Sequence, residues 1–276
     1  MKIVSDSLLD LTSELKERLQ ITQVPLSISL MGKTYVDDES LDVSKLMEDI
    51  AACEEKIVSA APAPRLFQDA FQGSDDVFAI TVSSRLSATH QNAVIAKNDL
   101  ESQGNAPFIH VFDSKSASAG EVLVGLKLRD FIDVEMSKED IVRKTEEFIG
   151  KIKTYFALDD ISTLVKNGRI KATKALLINV LGIKPILGDN GNGEIESKAT
   201  ARGEKQIVKK MADFVEKSGK ATADENLVIC HCQNRTLAEK VRDEMHQRFD
   251  FKEILVVPTG GCSSVYANVG GIILAF

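Results

Sequence analysis

Four hydroxyl side chains fall within seven positions of one stretch: Ser83, Ser84, Ser87 and Thr89. Short hydroxyl donors beside free backbone N–H groups suit an anion or a carboxylate. The preceding run Val77-Phe78-Ala79-Ile80-Thr81-Val82 is apolar and rich in β-branched residues, which predicts a buried parallel strand. Ala93, Val94, Ala96, Lys97 and Leu100 follow at helical spacing. Strand, hydroxyl loop and helix in that order form a ligand-binding junction at the carboxyl end of an open α/β sheet. Ser87 is expected to cap the helix and still lend its hydroxyl to a ligand. A lone serine would only cap. Four hydroxyls together favour an anion or carboxylate site.

Other chemistries fit less well. A serine acyl hydrolase would pair Ser87 with His90 or His231, but the Gly-x-Ser-x-Gly elbow is missing: Arg85 and Thr89 occupy the glycine places. No Gly-x-x-x-x-Gly-Lys loop is present to cradle a nucleotide. Asp189-Asn190-Gly191-Asn192-Gly193 puts glycines where a calcium loop needs oxygen ligands, so a hairpin turn is expected. Cys230-His231-Cys232 would point its histidine away from both thiols in a strand, and no second ligand pair stands at zinc spacing. No metal site is expected. Lys166, Arg169, Lys171 and Lys174 make a basic run, either a solvated helix face or a dock for a negatively charged partner or nucleotide.

The bulk properties bound the partners. With 276 residues the chain can hold one large α/β domain or two smaller ones. A net charge of −7 argues against a nucleic-acid surface. No apolar run is long enough to span a bilayer, and Asp6 follows too soon after Met1 for a signal peptide. Four scattered cysteines fit a reducing compartment, so a cytoplasmic protein with at most transient membrane contact is expected.

The elements that position the hydroxyl stretch can be read in order. Lys2 to Ser5 predicts a first strand ending in Asp6-Ser7, and Leu8, Leu11, Leu15 and Leu19 a helix. Val24 to Leu30 alternates as a strand, Val43 to Ala51 is helical, and Val58 to Pro64 is a proline-punctuated loop opening a helix at Pro64. Pro107 to Phe112 is a strand running into another serine-rich loop, Asp113 to Gly120. Three such junctions predict a doubly wound parallel sheet over residues 1–153. Ser137 with Asp140 resembles a capping box. Residues 154–276 change character, with hairpin strands at 183–187 and 194–199, helices, and a glycine-rich final strand from Val269. An α+β domain with a mixed sheet is expected there.

Several separate pieces, taken together, resemble the DegV family, the fatty-acid-binding subunits of bacterial fatty acid kinase. Ser5-Asp6-Ser7-Leu8-Leu9-Asp10-Leu11 is similar to the family's opening S-D-S-x-x-D-L. Ser83-Ser84-Arg85-Leu86-Ser87-Ala88-Thr89 resembles S-S-x-L-S-G-T, with alanine for glycine. Asp113 to Gly120 resembles D-S-x-x-x-S-x-G, Lys166 to Ile170 resembles K-x-G-R-I, and Ile183 to Leu187 matches I-K-P-I-L, with Arg202-Gly203 after them. Two pieces depart: T-S-x-P-S becomes Ser59-Ala60-Ala61-Pro62-Ala63, and Tyr266 stands where the family carries a histidine near its end.

The resemblance implies two α/β domains holding a long-chain fatty acid between them. Its carboxylate would meet Ser59, Ser87, the Ala88 backbone and Tyr266, with Ser83, Ser84 and Thr89 supporting the loop. The chain would have no catalytic residue or cofactor of its own. It would present the carboxylate to a separate ATP-dependent kinase subunit, with Arg169 and Arg202 facing that partner. A serine-dependent acyl hydrolase, or a carrier of another acidic lipid or small carboxylate, are the alternatives.

Overall fold

The two central strands of the first half, Lys2–Asp6 and Val77–Thr81, are buried on both faces, as parallel strands covered by helices must be. In the computed structural model, which describes residues 1–53, 55–73, 75–104, 106–171 and 182–276, the chain begins with β1 (Lys2–Asp6), α1 (Ser13–Leu19) and β2 (Ile21–Val24). Next come β3 (Ser27–Leu30), β4 (Lys33–Val36), α2 (Val43–Ala51), β5 (Val58–Ala60) and α3 (Pro64–Phe71). β6 (Val77–Thr81), α4 (Thr89–Ser102), β7 (Ile109–Asp113), α5 (Ala119–Asp133) and α6 (Lys138–Ile149) complete this half. Strands β2, β1, β6 and β7 lie side by side in that order, all parallel. The period of two sends Ile3, Phe78, Ile80 and Phe112 toward α1 and α5. Val4, Val77, Ala79 and Ile109 go to the opposite face, against α3 and α4. Helices on both faces make the sheet doubly wound.

The rest of the chain forms β8 (Thr154–Ala157), α7 (Ser162–Lys166), β9 (Ile183–Asp189), β10 (Ile195–Arg202), α8 (Gly203–Ser218) and β11 (Asn226–His231). It ends with α9 (Arg235–Arg248), β12 (Glu253–Pro258), α10 (Gly261–Ala267) and β13 (Ile272–Ala275). Their sheet runs β10-β9-β8-β13-β11-β12 and is mixed: β11 and β12 are parallel, the other neighbours antiparallel. One face packs on α8 and α9 through Ile229, Leu274, Met211 and Val241. The other, through Val228, Cys230, Ile273 and Ala275, packs in the same core as α5. Residues Ala119 to Leu126 of α5 are all buried, so this helix lies between the two sheets as a shared layer.

Proline and long-range contacts account for the differences from the sequence reading. The strand expected over Val24 to Leu30 breaks at Pro25, which cannot donate to a ladder; β2 stops before it and β3 starts after it. The first helix starts at Ser13 rather than near Leu8, capped by Thr12, whose Oγ1 accepts the Leu15 N–H. Val58 to Ala60, expected as loop, pairs antiparallel with β3 in a small sheet ordered β4-β3-β5. Gly261 to Ala267, not expected as an element, is helix α10. The 189–193 hairpin turn forms as expected, and half of the Ser137 capping box does: Ser137 Oγ accepts the Asp140 N–H, while the Asp140 carboxylate accepts the Ser137 hydroxyl rather than its N–H. Lys174 lies outside the described residues.

Candidate functional site

The end of β6 is fixed by a carboxylate: the Val82 N–H donates to Asp6 Oδ2 at 2.7 Å. The hydroxyl loop that follows divides into two parts. Ser83 and Ser84 are committed to protein partners, Ser83 Oγ donating to the Gly193 carbonyl at 2.7 Å and Ser84 Oγ to Asp113 at 2.5 Å. Ser87 Oγ accepts the Thr89 N–H at 3.3 Å and lies 2.8 Å from the Thr89 hydroxyl. Ser87 is therefore not the N-cap. Ala88 holds that place with helical backbone angles and no side-chain cap, so the Ser87 hydroxyl turns to the N–H two residues on.

Ser87 and Ala88 line a cavity of about 290 Å³ between the loops of the parallel sheet and the second sheet. Its walls are largely apolar, with Leu26, Val82 and Leu86 from one side and Phe156, Leu158 and Ile273 from the other. Ser59, Tyr266 and Arg169 line the same cavity. Ser59 Oγ and Tyr266 OH are 2.7 Å apart, and Arg169 Nη1 donates to the Asn167 carbonyl at 2.5 Å. Burial pushes the Tyr266 phenol above its ordinary value, so it is a neutral hydroxyl across the physiological range. Ser59 sits on edge strand β5, held near α7 by Asn167 Nδ2, which donates to the Ile57 carbonyl. Arg202 is not in this group. It is exposed at the end of β10, where its N–H donates to Gln206.

Behind the cavity lies a set of buried carboxyls that the sequence reading did not single out. Asp6 also accepts the Leu8 N–H. Asp10 accepts Ser118 Oγ at 2.5 Å and the Gly260 N–H at 2.8 Å. Asp37 accepts the Gly261 and Cys262 N–H groups and Ser7 Oγ, capping the helix that carries Tyr266. Glu121 on α5 is fully buried, and its oxygens have no hydrogen-bond partner among the described residues. Burial raises Asp6 to about 7 and Asp10 to about 6. Burial, then the negative charge of Asp6 and Asp10, pushes Glu121 well above the carboxylate range and keeps it neutral. The only signal in the sequence was that Asp6 and Asp10 sit in one motif.

The rival chemistries find no assembled group. His90 Nδ1 lies 3.1 Å from Thr81 Oγ1, and His231 Nδ1 accepts the Asn234 N–H. No hydrogen bond among the described residues joins Ser87 to either histidine. No three His, Cys, Asp or Glu side chains among the described residues are placed to hold a metal ion. No helix among them is long and apolar enough to cross a membrane.

The sequence profile of the DegV family matches residues 1–275. The chain belongs to the DegV family. Three solved DegV-fold structures are similar to it over their whole length. A DegV family protein from Ruminococcus gnavus with vaccenic acid is 35% identical with a TM-score of 0.94, covering 100% of this chain and 99% of that one. A DegV family protein from Eubacterium eligens loaded with heptadecanoic acid is 27% identical with a TM-score of 0.91, covering 100% and 98%. The fatty acid kinase B3 protein of Streptococcus pneumoniae loaded with linoleic acid is 31% identical with a TM-score of 0.91, covering 100% and 98%. In this DegV protein the opening S-D-S-x-x-D-L segment supplies Asp6, which binds the loop after β6, Asp10, which binds the starts of α5 and α10, and Ser7, which donates to Asp37.

Proposed function

We propose that this DegV protein binds a long-chain fatty acid in the cavity and presents its carboxylate to a separate ATP-dependent kinase, which makes the acyl phosphate. The observation that carries the reading is one apolar cavity bearing the hydroxyls of Ser59, Ser87 and Tyr266, in a chain over 30% identical to two solved relatives that hold fatty acids. The division of labour follows from magnitudes. Each buried methylene is worth roughly 0.8 kcal/mol, so a long acyl chain gains on the order of 10 kcal/mol gross. A hydroxyl bond to a charged group adds only about 1.5–3 kcal/mol. The walls supply affinity and the hydroxyls fix which end faces out.

Ser59, Ser87, Tyr266 and the Ala88 backbone receive the carboxylate; Ser83, Ser84 and Thr89 hold the loop in shape. Arg169, at the cavity wall, and the exposed Arg202 face the kinase. The chain contributes no catalytic residue or cofactor, works in the cytoplasm, and divides functionally at residues 153/154. The test is organic extraction of protein purified without detergent, followed by mass spectrometry and titration with fatty acids. A released fatty acid and saturable binding are expected. An empty extract together with no saturable binding would overturn the reading.

A further inference from the structure

The cavity has a second polar end, away from Tyr266. Side chains two apart on a strand share a face, so Thr154, Phe156 and the following Leu158 all line the cavity along β8. At about 3.3 Å per residue, this row runs for roughly 13 Å. Strand β13 runs antiparallel beside it, with Ile272 opposite Ala157 and Ala275 opposite Thr154. Tyr266 and Ala267 precede β13 and so belong to the Leu158 end. Thr154 marks the far end.

That end is not closed by apolar side chains. Thr154 Oγ1 and Ser116 Oγ lie 2.8 Å apart, both residues line the cavity, and both are buried. Two hydroxyls carry two protons, and their mutual bond uses one. The other has only a 3.5 Å approach from Ser116 Oγ to the Ala117 carbonyl, too long for a strong bond. Gly120 leaves room for this arrangement, since a Cβ there would overlap Ser116 Oγ. Beyond the pair lies a small pocket of about 10 Å³, walled by Ser114, Ser116, Thr154 and Asp189, roughly the space of one water. The Asp189 carboxylate is already engaged, accepting the Thr154 and Gly191 N–H groups. The far end therefore offers the two buried hydroxyls, with Lys115 and the engaged Asp189 also on its walls.

We propose that Ser116 and Thr154 form a distal recognition site for an oxygen function, a hydroxyl at or near the end of the acyl chain. A terminal methyl pressed against the pair leaves its hydroxyls under-bonded, whereas a terminal hydroxyl completes them. The site rests on the fatty-acid reading above, and its effect is one of selectivity between acids. Water prefers the hydroxylated acid, so the quantity to read is a ratio compared between proteins.

Affinities of wild type and Thr154→Val are measured for a saturated fatty acid and for the ω-hydroxy acid of equal heavy-atom length. Valine keeps the shape and removes the hydroxyl. Relative to the saturated acid, the ω-hydroxy acid should bind roughly three- to tenfold better to wild type than to the variant. Ser116→Ala should move the ratio in the same direction, which guards against a Thr154→Val protein that fails to fold. An unchanged ratio, within twofold in both variants, would overturn the distal site while leaving fatty-acid binding intact; it would mean the pair merely satisfies itself and a water. Absence of binding of either acid to wild type would overturn both readings.

Discussion

Ser59 Oγ and Tyr266 OH meet at 2.7 Å across 207 positions of sequence, joining edge strand β5 to helix α10. The pair places two neutral hydroxyls at one point of the cavity wall. Tyr266→Phe keeps the ring and removes the bond, and Ser59 is only part-buried, so little stability should be lost. Fatty-acid affinity should fall by about 1–3 kcal/mol with the melting temperature nearly unchanged. Titration calorimetry and a thermal melt on the same variant check both. Tyr266→His should restore binding and make it pH-dependent near neutrality. Equal affinities for wild type and Tyr266→Phe would remove Tyr266 from the head-group site.

Ser87→Ala separates ligand binding from helix support. Because Ala88 holds the cap position, the serine stabilises α4 only through its bond to the Thr89 N–H and its contact with the Thr89 hydroxyl. Stability should drop by about 0.5–1.5 kcal/mol, while affinity for a fatty acid falls by a similar amount. Urea denaturation and a binding titration read the two separately. Unchanged affinity with reduced stability would confine Ser87 to a structural role.

Asp37 reaches the start of α10 from 224 positions earlier in the chain. Asp37→Ala removes acceptors for two N–H groups and for Ser7 Oγ. A cost of about 2 kcal/mol is expected, at the upper end for a lost cap. Since α10 carries Tyr266, fatty-acid affinity should fall too. Amide exchange over residues 261–267 should accelerate in this variant and not in Tyr266→Phe. Equal rates in the two would show that the helix is held by its packing instead.

The buried carboxyls set a pH dependence whose sign is fixed by the direction of their shifts. Asp6 goes from 3.8 to about 7 on folding, so the folded state holds its proton more tightly than the unfolded chain. Stability from this group is full below about pH 4 and is lost as pH rises toward 7, by on the order of 4 kcal/mol. Asp10, raised to about 6, acts in the same direction. Asp38, Asp49 and Asp140 are lowered and titrate below this range, while burial lowers His90, His110 and His231, which act oppositely within it. Urea midpoints should therefore fall between pH 5 and pH 7.5, and Asp6→Asn should flatten the trend. A rising midpoint in wild type would contradict neutral burial of Asp6.

The parts of the site legible in the sequence are those whose signal is local. The hydroxyl junction after Val82 and the turn at 189–193 announce themselves by residue types a few positions apart. Ser59 was read in a loop because Pro62 and Pro64 follow it, yet its pairing partner, Ile28, is remote in sequence. Helix α10 is short, with Gly, Cys, Ser and Val where periodicity should show, and its cap comes from Asp37. Charged residues normally read as solvated, so the burial of Asp6, Asp10 and Glu121 was invisible until α5 was seen lying between two sheets. These misses are contacts between distant segments, whereas the break at Pro25, the Thr12 cap and the turn of Ser87 toward Thr89 are local.

The position of α5 also decides how the cavity can exchange its contents. Swinging the two sheets apart like a hinge would strip cover from the helix between Ala119 and Leu128, where Val122, Leu123, Val124, Leu126 and Leu128 are all buried. At roughly 1.5–3 kcal/mol per large apolar side chain, such an opening costs on the order of 10 kcal/mol, comparable to the whole stability of a typical domain. The moving part must then be a thin cover over a rigid frame. Strand β5 suits that part, being three residues long and tied to the frame by the Ser59–Tyr266 and Asn167–Ile57 bonds. Amides of β5 should exchange orders of magnitude faster than those of α5, and a disulfide clamping β5 to α10 should slow release of a bound acid without changing the core.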